Sequence, residues 1–178
     1  MDLVKRVASL RYRCSQCNEL HHGLPELSYH LPAVIASLDD DERQSRCTVG
    51  SDQCSLDGET FFIRCVLQLP IRDSGEIYGV GVWSTLSREN FKLYSDNWEN
   101  PRRAGIGPFL GWFASFVETF EDTINLKCRV WPRDDLVRPV IELEPTDHPL
   151  ALAQREGLEL SRALEMAERI PGIKFLVK

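Results

Sequence analysis

The sequence predicts an α+β domain, a mainly antiparallel sheet of about five or six strands with helices packed on one side of it. Three observations carry that expectation. Residues 47–86 are rich in β-formers and cut by turn dipeptides. Residues 88–98 and 150–170 place apolar side chains at helical spacing behind capping residues. Near the N-terminus, Cys14-Ser-Gln-Cys17 forms a tight turn that aims two sulfurs at one point, the pattern of a zinc knuckle or a redox dithiol. The 178 residues suit a single domain: a knuckle and first hairpin (12–58), a sheet-and-helix body (59–170) and a tail (171–178).

Taken in order, residues 1–13 read as an arm entering a short strand, with Val7, Leu10 and Tyr12 inward. The knuckle occupies 14–18; Asn18 stands where such turns often have glycine, and asparagine tolerates the left-handed backbone they need. Residues 29–38 read as one short helix beginning near Pro32, ended by the acidic run 39–42, itself read as a solvated loop or helix end. That run lacks the glycine turn and distant glutamate of a calcium loop. Val49, Cys54 and Leu56 precede Asp57-Gly58, a hairpin turn. Residues 61–69 form a central strand closed by Pro70, and 77–86 a further one. Gly79 and Gly81 lie two apart, so they open one face to close approach, by another chain segment or by a ligand.

Ser87 is a good N-cap for a helix over 88–98, with Phe91, Tyr94 and Trp98 on one face. Residues 105–112 read as an irregular glycine-rich loop without the ending of a phosphate loop, and 114–120 as a short helix. Two strands, 124–131 and 137–143, are joined by a hairpin at 132–135. A polar cap containing Asp147 precedes a helix over 150–156, with Pro149 in its first turn. After Gly157, Ser161 caps a second helix through Ile170, with Leu164 and Ala167 inward and Glu165–Arg169 as an i,i+4 pair. Residues 173–177 are a loose strand or tail.

Composition narrows the partners. A net charge of −6 argues against nucleic acid, which needs clustered Lys and Arg. The local basic residues Lys5, Arg6, Arg11 and Arg13 read as the solvated face of an arm or edge strand. No apolar run approaches the roughly 20 residues that cross a bilayer, and the N-terminus has no signal-peptide core, so a cytoplasmic location without membrane attachment is expected. Six cysteines then read as free thiols or metal ligands, not disulfides.

For zinc the expected ligands are Cys14, Cys17, His21 and Cys54 in a structural site. His22 or His148 are substitutes for His21, and Cys47 or Cys65 for Cys54, although Cys65 and Cys128 read as core thiols. The redox alternative is weakened because residues 18–23 start a helix poorly. An enzymatic alternative joins Cys54 as nucleophile to His148 and Asp147, with nothing local to support it. A non-catalytic binding module for a protein partner is favoured. Trp83, Trp98, Trp112 and Trp131, with Gly79 and Gly81, are candidate groove residues, and Arg138 with Glu142 a candidate polar pair on the same strand face.

The motifs together resemble the bacterial family named domain of unknown function 2199. The resemblance runs over roughly residues 12–165. It rests on Cys14-x-x-Cys17 with His21 and Gly23-Leu-Pro25, on Ser51-Asp-Gln-Cys54 with Asp57-Gly58 and Phe61-Phe62, and on Gly81-x-Trp83-x-x-Leu86-Ser87. Gly107-Pro108-x-x-Gly111-Trp112 and the run from Arg138 to Leu150 complete it. It implies a bacterial protein and supplies no activity to carry over.

Overall fold

The computed structural model describes residues 9–14 and 17–177, which form eleven strands and five α-helices in two sheets, an α+β fold. The expected inward Val7 and the basic Lys5 and Arg6 lie outside the described residues; Leu10 is buried, and Arg11 and Arg13 are exposed.

The body is organised by one long hairpin. β6 (Thr60–Pro70) and β7 (Ile77–Leu86) pair antiparallel without a break from Phe61↔Leu86 to Pro70↔Ile77. Alternation along β6 sends Ile63, Cys65, Leu67 and Leu69 to one face, where all four are fully buried. β5 (Gln53–Leu56) adds to the outer edge of β6 through the turn at Asp57 and Gly58, both at positive φ, and carries β4 (Cys47–Val49). β10 (Val140–Leu143) joins β6 parallel, and β9 (Lys127–Trp131) and β8 (Phe109–Trp112) continue antiparallel from it. β3 (Leu27–Ser28) pairs parallel to β7, completing eight strands. The sheet is thus larger than expected and mixed, though most of its pairs are antiparallel. A bridge between Ser84 and Phe113 brings the chain after β8 back against β7, so the sheet curls.

Helices Arg88–Asp96 (α3), Pro149–Glu156 (α4) and Leu160–Glu168 (α5) supply Tyr94, Leu150, Ala151, Ala163 and Met166 to the same core as Leu67 and Val80. Helices on one side is therefore the right description of these three. The short Ala33–Ala36 (α1) packs Ile35 on the opposite face, with Cys54, Phe62, Trp83 and Ala114.

Several local expectations are corrected. The helix expected over 29–38 is only α1, and the acidic run does not end it. Instead Asp39 caps a new helix, Asp40–Arg46 (α2), in a capping box with Glu42. Three carboxylates in a first turn are favourable there, because they face the unpaired N–H groups and the positive end of the helix dipole. The segment 105–112 is not a mere loop: a 3-10 turn at Ala104–Ile106 leads into β8. The helix expected over 114–120 is absent. Its backbone is spent on β7, with the Ala114 N–H donating to Trp83 O at 2.8 Å and Ser115 Oγ accepting from the Trp83 N–H at 2.9 Å. The caps of the last two helices also differ. His148 rather than Asp147 caps α4, and Glu159 rather than Ser161 precedes α5, without a side-chain cap. The ion pair Glu165–Arg169 is present at 3.6 Å.

The second sheet is small and made from both ends of the chain. β1 (Arg11–Arg13) pairs antiparallel with β2 (Leu20–His22) on one side and with β11 (Lys174–Val177) on the other.

Candidate metal centre

The knuckle is the turn between β1 and β2. The Asn18 N–H donates to Cys14 O at 2.9 Å and the Cys14 N–H to Glu19 O at 3.0 Å, closing the loop over the two cysteines. Asn18 adopts φ 58°, the left-handed conformation the turn demands, and its carbonyl accepts from Arg13 Nη1 at 2.8 Å. The register then sets His21 opposite Tyr12, and the two rings stack at 5.3 Å with 17° between their planes. His21 Nε2 lies 3.1 Å from Cys17 Sγ.

Among the described residues, Cys14, Cys17 and His21 form a group whose donor atoms all lie within 4.8 Å of one another. Donors around a tetrahedral zinc at 2.0–2.3 Å stand about 3.3–3.8 Å apart, so an ion needs only a small inward movement of these side chains. Two thiolates and one imidazole are a donor set that suits zinc, and the group can hold a metal ion. The Tyr12 hydroxyl is pushed up, by partial burial first and then by the nearby thiols.

Cys54, the expected fourth ligand, does not join them. It is 2% exposed in the second core cluster, and its Sγ faces Gly50 O at 3.7 Å. The reason is alternation in β5: its partner residue is Phe62, and both turn inward toward Trp83. Burial pushes its thiol pKa up, which favours the inert protonated form. Of the substitutes, Cys47 packs against the same cluster, Cys65 is fully buried and His22 is exposed. Burial holds Cys65 well above the ordinary thiol range and pushes Cys128 up to about 11.

The catalytic alternative meets a similar obstacle at His148. Its Nδ1 accepts from the Leu150 N–H at 3.1 Å and its Nε2 lies 2.7 Å from Glu121 O, so both ring nitrogens are committed to structure. For the redox alternative, Cys17 is followed by a turn and a strand instead of the helix N-terminus on which a thioredoxin-like dithiol sits.

The four tryptophans do not share one groove. Trp83 is fully buried, its Nε1 donating to Tyr29 O at 2.9 Å, while Trp98 sits over Arg103 at the end of α3. Trp112 and Trp131 are exposed on the outward face of β8 and β9, with Leu110, Lys127 and Arg129. Trp112 also lines a cavity of about 590 Å³ with Leu110, Leu86 and Lys127. Gly79 and Gly81 do admit a chain segment: a Cβ at either would overlap Glu26 or Ser28.

The Arg138–Glu142 pair is also corrected. Arg138 Nε donates to Asp52 Oδ1 at 2.5 Å, and Glu142 instead accepts from Trp131 Nε1 at 2.9 Å. Burial alone would raise the Asp52 carboxyl, but hydrogen bonds from Arg138 and Ser51 outweigh it and hold the group below the usual range. Nearby, Arg64 Nη2 donates to Ser28 Oγ at 2.6 Å, with its guanidinium 6.0 Å from the Trp83 ring.

Sequence reasoning missed Arg103. It is 1% exposed, and its guanidinium donates to the carbonyls of Trp98, Arg133 and Val137 while facing the Tyr94 ring. It ties the loop before β10 to the end of α3, and no spacing in the sequence announces that role.

Among the described residues, no helix is long and apolar enough to cross a membrane. The sequence model of a family described as "Uncharacterized protein conserved in bacteria (DUF2199)" matches residues 13–158. The chain belongs to that family. No curated protein and no solved structure matches it.

Proposed function

We propose that this member of the family is a non-catalytic interaction protein whose N-terminal edge is held by a structural zinc ion. The observation that carries the proposal is the convergence of Cys14, Cys17 and His21 within 4.8 Å, in a sheet whose β1 and β2 bury none of their own residues. A small sheet of that kind needs a staple other than a core, and a structural metal is one of the devices that supply it. The interaction half rests on exposed Leu110, Trp112 and Trp131 set among Lys127, Arg129 and Glu142 on one sheet face. Aromatic residues and arginine are enriched where proteins bind proteins.

Elemental analysis of the untagged protein tests the first half. We expect about one zinc per chain, as four-coordinate sites of this kind hold a single ion, and loss of it in Cys17→Ser. Metal-free protein whose stability is unchanged by Cys14→Ser sinks the zinc reading. Turnover in an activity screen that disappears with Cys54→Ala overturns the non-catalytic reading.

A further inference from the structure

We infer that the cavity at the seam between β7 and β8 is a binding site for a small organic amine with an apolar body, of the arylalkylamine kind. The inference goes beyond the interaction reading. Leu110 and Trp112 belong to both surfaces, but the cavity needs neither a protein partner nor zinc.

The seam follows from the way the sheet curls. An isolated bridge at Ser84 and Phe113 joins β7 to the chain after β8. At the next pair the contact passes through a side chain, the Trp112 N–H donating to Thr85 Oγ1 at 3.1 Å. Gly111 fits against β7 there because it lacks a side chain: a Cβ would overlap Thr85 O and Ser84 Oγ. Beyond this point a cavity of about 590 Å³ opens, with Leu86 on one strand and Leu110 on the other. That volume lies within the range of small-molecule sites.

The walls divide by chemistry. Leu86, Leu110 and the Trp112 indole supply an apolar surface. Glu59 and Glu144 bring two carboxylates and Lys127 brings one ammonium, so the lining carries an excess of negative charge. The Lys127 Nζ lies 5.9 Å from the centroid of the Trp112 ring, close enough for the indole to take up part of its charge. Arg129, two residues further along β9, stands opposite Glu142. Glu144 is the better placed of the two acids. It is half-buried where Glu59 is exposed, so salt screens it less. Its N–H donates to Lys127 O at 2.9 Å, which fixes it beside β9. Its charge reaches Cys128, a buried lining residue, and adds to the rise that burial gives that thiol's pKa. An amine whose apolar body covers Leu110 and Trp112 while its ammonium meets Glu144 satisfies both parts of the wall.

The test titrates the isotope-labelled full chain with phenethylamine, phenethyl alcohol and hydrocinnamate, which share an apolar body and differ in charge, and follows the amide resonances. We expect the amine to shift the amides of Thr85, Gly111 and Trp112 at millimolar concentration, as befits so small a ligand. Its affinity should exceed that of the alcohol about fivefold, the factor for one charge contact at about 4 Å in water. Glu144→Gln should remove that advantage and leave binding of the alcohol unchanged. Trp112→Ala should weaken all three probes, with the amides of β6 serving as the check that the fold is kept. Leu110→Ser repeats that measurement if Trp112→Ala does not fold. Hydrocinnamate binding as tightly as the amine overturns the inference, as do shifts confined to amides away from the seam. No shift from any probe overturns it too, and leaves standing the protein-partner reading, which Trp131 also carries.

Discussion

The central hairpin and the knuckle sheet are both antiparallel, yet they are held together by different means. Along β6, buried and half-buried side chains alternate from Ile63 to Leu69, and Ile63, Cys65, Leu67 and Leu69 have no exposed surface. In the knuckle sheet, Tyr12 and His21 are half-buried and their strand neighbours are exposed. Full burial of a single Leu or Ile contributes about 1.5–3 kcal/mol, so the hairpin is secured by hydrophobic burial. The knuckle sheet has a ring stack, a few backbone hydrogen bonds and a convergent Cys-Cys-His set. Two sheets in one chain thus differ in what holds them, one by burial and the other by contacts at a turn.

Substitutions separate the two sources. Leu67→Ala should cost about 2–5 kcal/mol in global stability by chemical denaturation, because it opens a cavity in the main core. A loss below about 1 kcal/mol would show that the core can collapse around the gap. Gly81→Ala should cost about 1–3 kcal/mol, because its Cβ overlaps Ser28 Oγ and pushes β3 off the sheet. Exchange at the Tyr29 amide, which donates to Gly81 O, should rise in the same variant.

Asp52→Asn should cost about 1 kcal/mol, a figure already discounted because Arg138 is 45% exposed. The sign with pH follows from the lowered carboxyl. Its stabilisation is present above about pH 4, the ordinary aspartate range, and is lost as pH falls through its lower folded value. Denaturation at pH 5 and pH 3 should therefore differ less in Asp52→Asn than in the parent. The smallest global effect should come from Cys17→Ser. It should move the unfolding midpoint by the equivalent of less than about 1 kcal/mol while amide protection disappears in β1 and β2. Cooperative loss of protection in β6 and β7 in that variant would break the distinction between the two sheets.

Much of this architecture was legible in the residues. The β6–β7 hairpin, its turns, the Ser87 cap and the close approach at Gly79 and Gly81 all follow from local alternation and turn chemistry. Asn18 likewise adopts the left-handed turn its chemistry allows. Where local signals compete, the reading fails. The acidic run at 39–42 reads as a solvated loop or helix end, whereas the Asp39–Glu42 box makes it the capped start of a new helix. Residues 114–120 have helical composition but find better hydrogen-bond partners on β7.

The sequence by itself determined the knuckle's inner members, because Cys14, Cys17 and His21 are near neighbours and one turn brings them together. Family membership was readable in the same way, from motifs in order along the chain. The tertiary structure decided what distant residues do. It buried Cys54 beside Phe62 instead of beside Cys14, Cys17 and His21, paired Arg138 with Asp52 instead of Glu142, and placed Arg103 among three carbonyls. Such pairings depend on strand register and on which face each strand buries, and those are settled by packing the whole sheet at once.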